Sequence, residues 1–394
     1  MAGGVRAQLS GLFQFIRGTD MRGTLTRRVA IVTAGALAGW TLLAAQPAGA
    51  RAVDFVPCSG VALSSGLAAQ ASGEILRLAP HCTYDLTAAL PDITRQDLAI
   101  RAGPGTVLEH STAPGTPAFS LLTVDSGARL AISGLAFADG MATSSGAIDN
   151  NGRLTITRST FTANTTTGKG GAIASGNGNY STATITGSTF TGNYAANWGG
   201  GVYSEGRLTV SGSAFTGNNA LATGGGGIAT VSGSLTVHGG AFTGNTGGFG
   251  GGGILALGGS SVIEGARFTG NTALFGGGIY GGNLQVIDSI FTRNAAYRSG
   301  GAVESFATGA VSWSQFRENS ARDVGGAIYV PSGSATSLTV HSSLISGNTA
   351  TAGGGGIYTA AGDGSVTLTG ITDDTRNQPD NCEPAGTVTR CPGR

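Results

Sequence analysis

A phenylalanine followed three residues later by an asparagine recurs along this chain, as Phe161/Asn164, Phe190/Asn193, Phe215/Asn218, Phe242/Asn245, Phe268/Asn271, Phe291/Asn294 and Phe316/Asn319. Ile345/Asn348 is a further copy with Ile in place of Phe, and Phe137 begins a degenerate earlier one. Successive anchors from Phe137 to Ile345 lie 23 to 29 residues apart. Each Asn is followed, eight to ten residues later, by Ile or Val closing a Gly-rich step: Ile173, Val202, Ile228, Ile254, Ile279, Val303, Ile328 and Ile357. A third element precedes the Phe, as in Leu154-Thr155-Ile156 or Leu235-Thr236-Val237.

These elements are too short and too β-branched for helices, and they alternate apolar and polar residues with the period of a half-buried strand. Gly, Asn and Ser bound them as turns. A unit of about 26 residues with three short strands cannot bury its own apolar face, but stacked units share one core. The pattern therefore predicts an all-β fold, a parallel β-helix solenoid of about 11 coils with three short strands per coil. At one strand spacing per coil the rod is roughly 50 Å long. A propeller needs blades of about 40 residues. Parallel crossovers are overwhelmingly right-handed, so the right-handed form is expected.

The recurring letters have scaffold roles. The Phe residues should stack inward, coil on coil. The Asn residues should occupy left-handed turn positions and bond one another in a ladder. The Gly residues before each Ile permit close backbone approach. The spacing from Ile to the next Phe varies from 12 to 17 residues, which places insertions near Gly176–Asn179 and Pro331–Thr336.

The alternation of Phe-x-x-Asn with Gly-Gly-Ala-Ile, as in Phe161–Asn164 with Gly170-Gly171-Ala172-Ile173 and Phe316–Asn319 with Gly325-Gly326-Ala327-Ile328, resembles the polymorphic outer-membrane protein repeat. The resemblance covers roughly residues 137 to 358. It implies a right-handed parallel β-helix of the pectin-lyase-like superfamily in a surface or secreted bacterial protein, and its best-known members imply adhesion. No segment after Ile371 resembles a membrane-inserting β-barrel, so the autotransporter route is not expected.

The flanks suggest export. From Met21, which is a candidate true start, Arg22, Arg27 and Arg28 precede an uncharged apolar run, Val29 to Ala45, and a small-x-small site at Ala48-Gly49-Ala50. Residues 1–50 are thus read as a signal peptide, 51–100 as an N-terminal cap with the first strands, 101–370 as the β-helix repeats and 371–394 as a C-terminal cap. Membrane contact is expected only through the uncleaved signal, and the mature chain is expected outside the cell. Four cysteines in an exported chain suggest disulfides. Cys58–Cys82 and Cys382–Cys391 are the expected pairs, since each brackets one end of the repeats.

Removal of residues 1–50 takes away five Arg and one Asp and leaves 17 basic and 20 acidic residues. With no basic patch, nucleic acid is not an expected partner. No cofactor and no metal site are expected either.

Chemistry is thinly signalled. A glycoside hydrolase needs paired carboxylates, and hydrolases of this fold are expected to carry Asn-Thr-Asp, Asp-Asp, Gly-His-Gly and Arg-x-Lys. None occurs in the clear coils, and Asp373-Asp374 falls where the repeat decays, as an expected turn. Asp149, Glu205, Glu264, Asp288 and Glu304 stand isolated along the chain. The densest charged group is Arg293, Arg298, Glu304, Arg317, Glu318, Arg322 and Asp323, read as solvated turn residues. His238 and His341 are read as outward surface residues.

The residue after each anchor Ile should face solvent. It reads Ala174, Tyr203, Ala229, Leu255, Tyr280, Glu304, Tyr329 and Tyr358 along the rod. Exposed Tyr stacks on sugar rings, so Tyr203, Tyr280, Tyr329 and Tyr358 are candidate glycan-binding residues. A second outward stripe is Thr162, Thr191, Thr216, Thr243, Thr269 and Thr292. The expected function is a non-catalytic glycan-binding, adhesin-like or structural protein with an extracellular or cell-wall polysaccharide as partner. The alternative is a polysaccharide lyase or glycoside hydrolase on the same fold.

Overall fold

The Phe ladder shows why the coils stack. In the computed structural model, Phe137, Phe161, Phe190, Phe215, Phe242, Phe268, Phe291 and Phe316 are all fully buried. Their rings lie 4.6 to 4.9 Å apart and within 6° of parallel. Ring spacing equals strand spacing because every Phe pairs in register with the next, as Phe161 does with Phe190. The structure describes residues 53–391, except 70, 95, 177, 334–335, 361–363, 371–372 and 384–387. The expected export signal lies outside the described residues.

The architecture is a parallel β-solenoid of about 13 turns, slightly more than the repeat alone indicates. Among the described residues, sheet A has 14 strands, from Val53–Val56 through Arg153–Thr157 to Val388–Thr389. Sheet B has 12 strands and carries the Phe ladder, and sheet C has 11 and carries the anchor Ile residues. A fourth sheet, D, adds nine short strands directly after the ladder Asn, such as Thr165–Thr166 and Tyr194–Ala195. Most of sheet D's strands are two residues long, too short to leave a period in the sequence. Each coil runs from sheet C to A to B to D, and one apolar core fills the interior.

The Asn ladder is fully satisfied. Asn245 Oδ1 accepts from both the backbone N and Nδ2 of Asn218, at 3.0 and 2.9 Å. Its own Nδ2 donates to Phe215 O and to Asn271 Oδ1, each at 2.9 Å. The same pattern links Asn164, Asn193, Asn218, Asn245, Asn271, Asn294, Asn319 and Asn348, and it continues to Asn377 in the C-terminal segment. The left-handed position is not the Asn, as the sequence suggested, but the residue before it. That residue is Gly192, Gly217, Gly244, Gly270 or Gly347 in most coils, and Ala163, Arg293 or Glu318 in others. The Asn keeps ordinary geometry because its side chain must point inward to reach both neighbouring coils. A second ladder of Ser hydroxyls, unnoticed in the sequence, links Ser159, Ser188 and Ser213 through backbone N to Oγ bonds of 3.1 to 3.2 Å.

The N-terminal end is covered. Helix α1 (Gly60–Ala69) buries Leu63 and Leu67, one turn apart, against the first coil. The backbone N of Ala62 reaches Ser59 Oγ, which caps the helix. Cys58–Cys82 ties this cover to the stack, and Cys382–Cys391 joins the last strands. Asp373 and Asp374 are not in a turn: Asp373–Thr375 is a strand of sheet B, paired with Leu344–Ser346.

Candidate functional site

The outward residues of sheet C stand in register on successive strands. Ala174 pairs with Tyr203, Tyr203 with Ala229, Leu255 with Tyr280, Tyr280 with Glu304, Glu304 with Tyr329, and Tyr329 with Tyr358. The sequence placed them in solvent, and the structure corrects this. Tyr203 is only 2% exposed and Glu304 only 5%, while Tyr280, Tyr329 and Tyr358 are half-covered. Sheet C strands are mostly three residues long, and side chains from the turns at their ends pack over the outward face. Trp198 on one side, and Val231 and Leu257 on the other, pack with Tyr280 onto Ala174, Tyr203, Ala229 and Leu255 as a second apolar cluster outside the core. The outer face of sheet C is therefore a shallow trough whose middle, over Ala229 and Leu255, is filled by these side chains. The outer face of sheet B has no such cover, and Thr162, Thr191, Thr216, Thr243 and Thr269 remain exposed on it.

One stretch of the trough is aromatic around a single carboxyl. Tyr280 packs against Phe306 with ring centroids 4.9 Å apart, and against Phe249 edge-on at 5.6 Å. Tyr329 and Tyr358 lie 5.9 Å apart. Between Tyr280 and Tyr329 sits Glu304, whose Oε2 accepts a 2.7 Å bond from Ser299 Oγ. Burial pushes this carboxyl up to about 8, against the opposing effects of the Ser299 bond and the Arg298 charge. Burial also raises the Tyr280 and Tyr329 hydroxyls, with Glu304 adding to both. At neutral pH Glu304 is then mostly protonated and carries little charge beneath the Tyr rings.

The charged group around it divides. Arg293 bonds Glu318 at 2.8 Å and Arg298 bonds Asp323 at 3.3 Å, all on the surface. Arg322 stacks over Tyr297 at 5.1 Å, and Arg317 is exposed on sheet B. Exposed pairs of this kind contribute little. Glu304 alone leaves the set, because it is buried. His238 meets Glu264 at 3.2 Å, while His341, four coils on from His238, packs edge-on against Trp313. Among the described residues no group of His, Cys, Asp and Glu is placed to hold a metal.

Further along the same trough, sequence reading missed a polar depression of about 500 Å³. Asp149, Ala174 and Tyr203 are successive rungs there. Asp149 accepts from Ser144 Oγ at 3.0 Å and from Asn151 Nδ2 at 3.5 Å. Glu205 accepts from the Tyr203 hydroxyl at 2.5 Å, from Lys169 Nζ at 3.4 Å and from the Gly178 amide at 3.3 Å. Burial raises the Asp149 carboxyl, whereas the Tyr203 bond lowers Glu205 despite some burial, helped by Gly178 and Lys169. Burial, the Glu205 bond and the Glu205 charge push the Tyr203 hydroxyl far upward. No sequence signal joined Asp149 to Glu205, since they lie two coils apart in the chain.

Residues 158–176, 187–205 and 342–360 match the Chlamydia polymorphic membrane protein repeat. The chain thus carries this repeat, folded as a parallel β-helix. No curated protein matches the chain as a whole. Among solved structures, it resembles the catalytic unit of a thermostable GH87 α-1,3-glucanase from Streptomyces thermodiastaticus strain HF3-3. That match has 15% identity and a TM-score of 0.52, and covers 88% of this chain and 71% of that one. It also resembles the A-module of a mannuronan C-5 epimerase from Azotobacter vinelandii, with 14% identity, a TM-score of 0.44 and coverage of 84% and 95%. The glucanase likeness is one of fold. No helix among the described residues is long and apolar enough to cross a membrane.

Proposed function

We propose that this chain is a secreted or cell-surface β-helix protein that binds an extended neutral glycan along the trough of sheet C. One observation carries the reading: Tyr280, Glu304, Tyr329 and Tyr358 stand on four consecutive strands, in register, with the three Tyr half-covered. Successive rungs are about 4.8 Å apart, which suits a ligand that is itself a linear repeat. Half-covered Tyr rings give apolar faces for sugar rings with hydroxyls at the rim. The buried, protonated Glu304 brings no charge beneath the rings of Tyr280 and Tyr329. The matched repeat, that of a membrane protein family, and the apolar run Val29 to Ala45 support a place at or beyond the cell surface. The fold also serves in a protein named as an α-1,3-glucanase, which supports a glycan as the kind of ligand.

The test is affinity electrophoresis of the chain from Arg51 on a panel of soluble neutral polysaccharides, beside a Tyr329→Ala/Tyr358→Ala variant. Two lost aromatic contacts at ~0.5–1.5 kcal/mol each should weaken binding roughly 5- to 150-fold. Equal retardation of the variant and the parent by every polysaccharide that binds would refute the reading. A second reading, a glycan-cleaving enzyme, is favoured by the two dissimilar carboxyls at the other end of the trough.

A further inference from the structure

We propose that the depression between Asp149 and Glu205 is a site of glycosidic-bond hydrolysis, with the Asp149 carboxyl as acid and the Glu205 carboxylate as base. The inference rests on the glycan-binding reading, because both sites lie on the outward face of the same sheet, C, on rungs in register.

The geometry begins with the register. Asp149 and Tyr203 are separated by one rung, and that rung is Ala174. Two strand spacings amount to ~9.6 Å between backbones. The small Ala174 side chain leaves the floor of the depression open between two larger neighbours. Glu205 follows Tyr203 by two residues and returns to the same outward side, where the Tyr203 hydroxyl and the Gly178 amide fix its carboxylate. Two carboxyls thus face one cavity from positions two coils apart.

The environments also divide the labour. Burial favours the proton on Asp149, against the opposing bonds from Ser144 and Asn151 and with a small repulsion from Asp92. The Tyr203 hydroxyl, the Gly178 amide and Lys169 favour the ionised form of Glu205. Carboxyls held apart in this way identify the acid and the base. Among the described residues Lys169 is the one cation lining the depression, and it is paired with Glu205, so this lining offers no free charge to an acidic sugar. The substrate class is therefore a neutral glycan.

In the step, water attacks the anomeric carbon as its bond to the bridging oxygen breaks. The Asp149 proton goes to that oxygen, which leaves as a hydroxyl. Glu205 takes one proton from the attacking water and returns it to Asp149 through solvent. Two shorter sugars result and nothing else is consumed.

The test uses the chain from Arg51 with soluble neutral α-glucans and β-glucans, reading new reducing ends and, separately, retardation in affinity gels. Asp149→Asn and Glu205→Gln should each lower release at least ~100-fold, the usual contribution of a positioned acid or base, with gel retardation unchanged. Release by the parent should also fall as pH rises through the raised Asp149 range. Retardation without release by the parent would overturn the inference and leave the binding reading standing. Release that survives both substitutions would overturn it as well. Release without any dependence on Tyr329 and Tyr358 would instead sink the binding platform and keep the hydrolytic site. The unfolding midpoint of each variant guards against misfolding, and Asp149→Glu supplies a second acid variant whose partial activity a merely structural Asp149 would not produce.

Discussion

Replacing Glu304 by Gln should make the protein more stable at alkaline pH and leave it nearly unchanged in acid. The unfolded carboxyl ionises near 4.5 and the folded one near about 8. Below pH 4.5 both states hold the proton and burial of Glu304 carries no ionic penalty. Between the two values the unfolded chain has released a proton that the folded chain keeps, so stability falls as pH rises. Above about 8 the loss is complete. At ~1.4 kcal/mol per pH unit, this window is worth up to ~5 kcal/mol. On a chain of this size that corresponds to roughly 7 °C in the unfolding midpoint, provided it unfolds as one unit. Gln keeps the shape and can still accept from Ser299 Oγ, but it does not ionise. Thermal unfolding of parent and Glu304→Gln at pH 5, 7 and 9 is the assay. The midpoints should nearly coincide at pH 5 and diverge by several degrees at pH 9, with the variant higher. Parallel curves across the whole range would show that Glu304 ionises normally, in solvent, and that the trough does not bury it.

Two further expectations concern the scaffold. Asn245→Ala removes the acceptor of two Asn218 donors and the donor to Phe215 O and Asn271 Oδ1; at ~1–3 kcal/mol per stranded buried group, the urea midpoint should fall clearly, and a midpoint within error of the parent would deny the ladder any role in stability. Ala163→Gly relieves a left-handed alanine (φ 54°) at the position where most other coils have Gly; it should raise stability by ~1 kcal/mol, and a lower midpoint would count against strain at that turn.

What the sequence reveals depends on how often it repeats itself. The Phe and Asn ladders were legible because each coil restates them and because a buried aromatic and a self-satisfied amide tolerate few replacements. The left-handed turn was read one residue late: Asn is the residue commonly found in that conformation, but here its amide must point inward, so the strain passes to Ala163, Arg293 and Glu318. Helix α1 was invisible for the opposite reason. It occurs once, its apolar pattern reduces to Leu63 and Leu67, and small residues such as Gly60, Ala62 and Gly66 gave no helical stripe to recognise.

The trough shows a deeper limit, and also how the candidate residues came together. Period-two alternation says which side of a strand a residue takes; it does not say whether that side meets water. On sheet B the two questions have the same answer, since nothing rises beside the strands and the Thr stripe is wet. On sheet C side chains from the flanking turns, Trp198, Val231 and Leu257 among them, pack over the outward row and cover it. That single difference turns Glu304 from a surface charge into a buried carboxyl with a raised pKa. It also encloses Tyr203 completely, while Tyr329 and Tyr358 keep part of their surface. Asp149 and Glu205 gain a shared cavity only because Ala174 stands between their coils. Placing a large side chain there, as in Ala174→Leu, should fill the depression while leaving the Tyr280–Tyr358 platform intact. Cleavage would then be lost and binding kept, the split expected if one groove holds its ligand at one end and acts on it at the other.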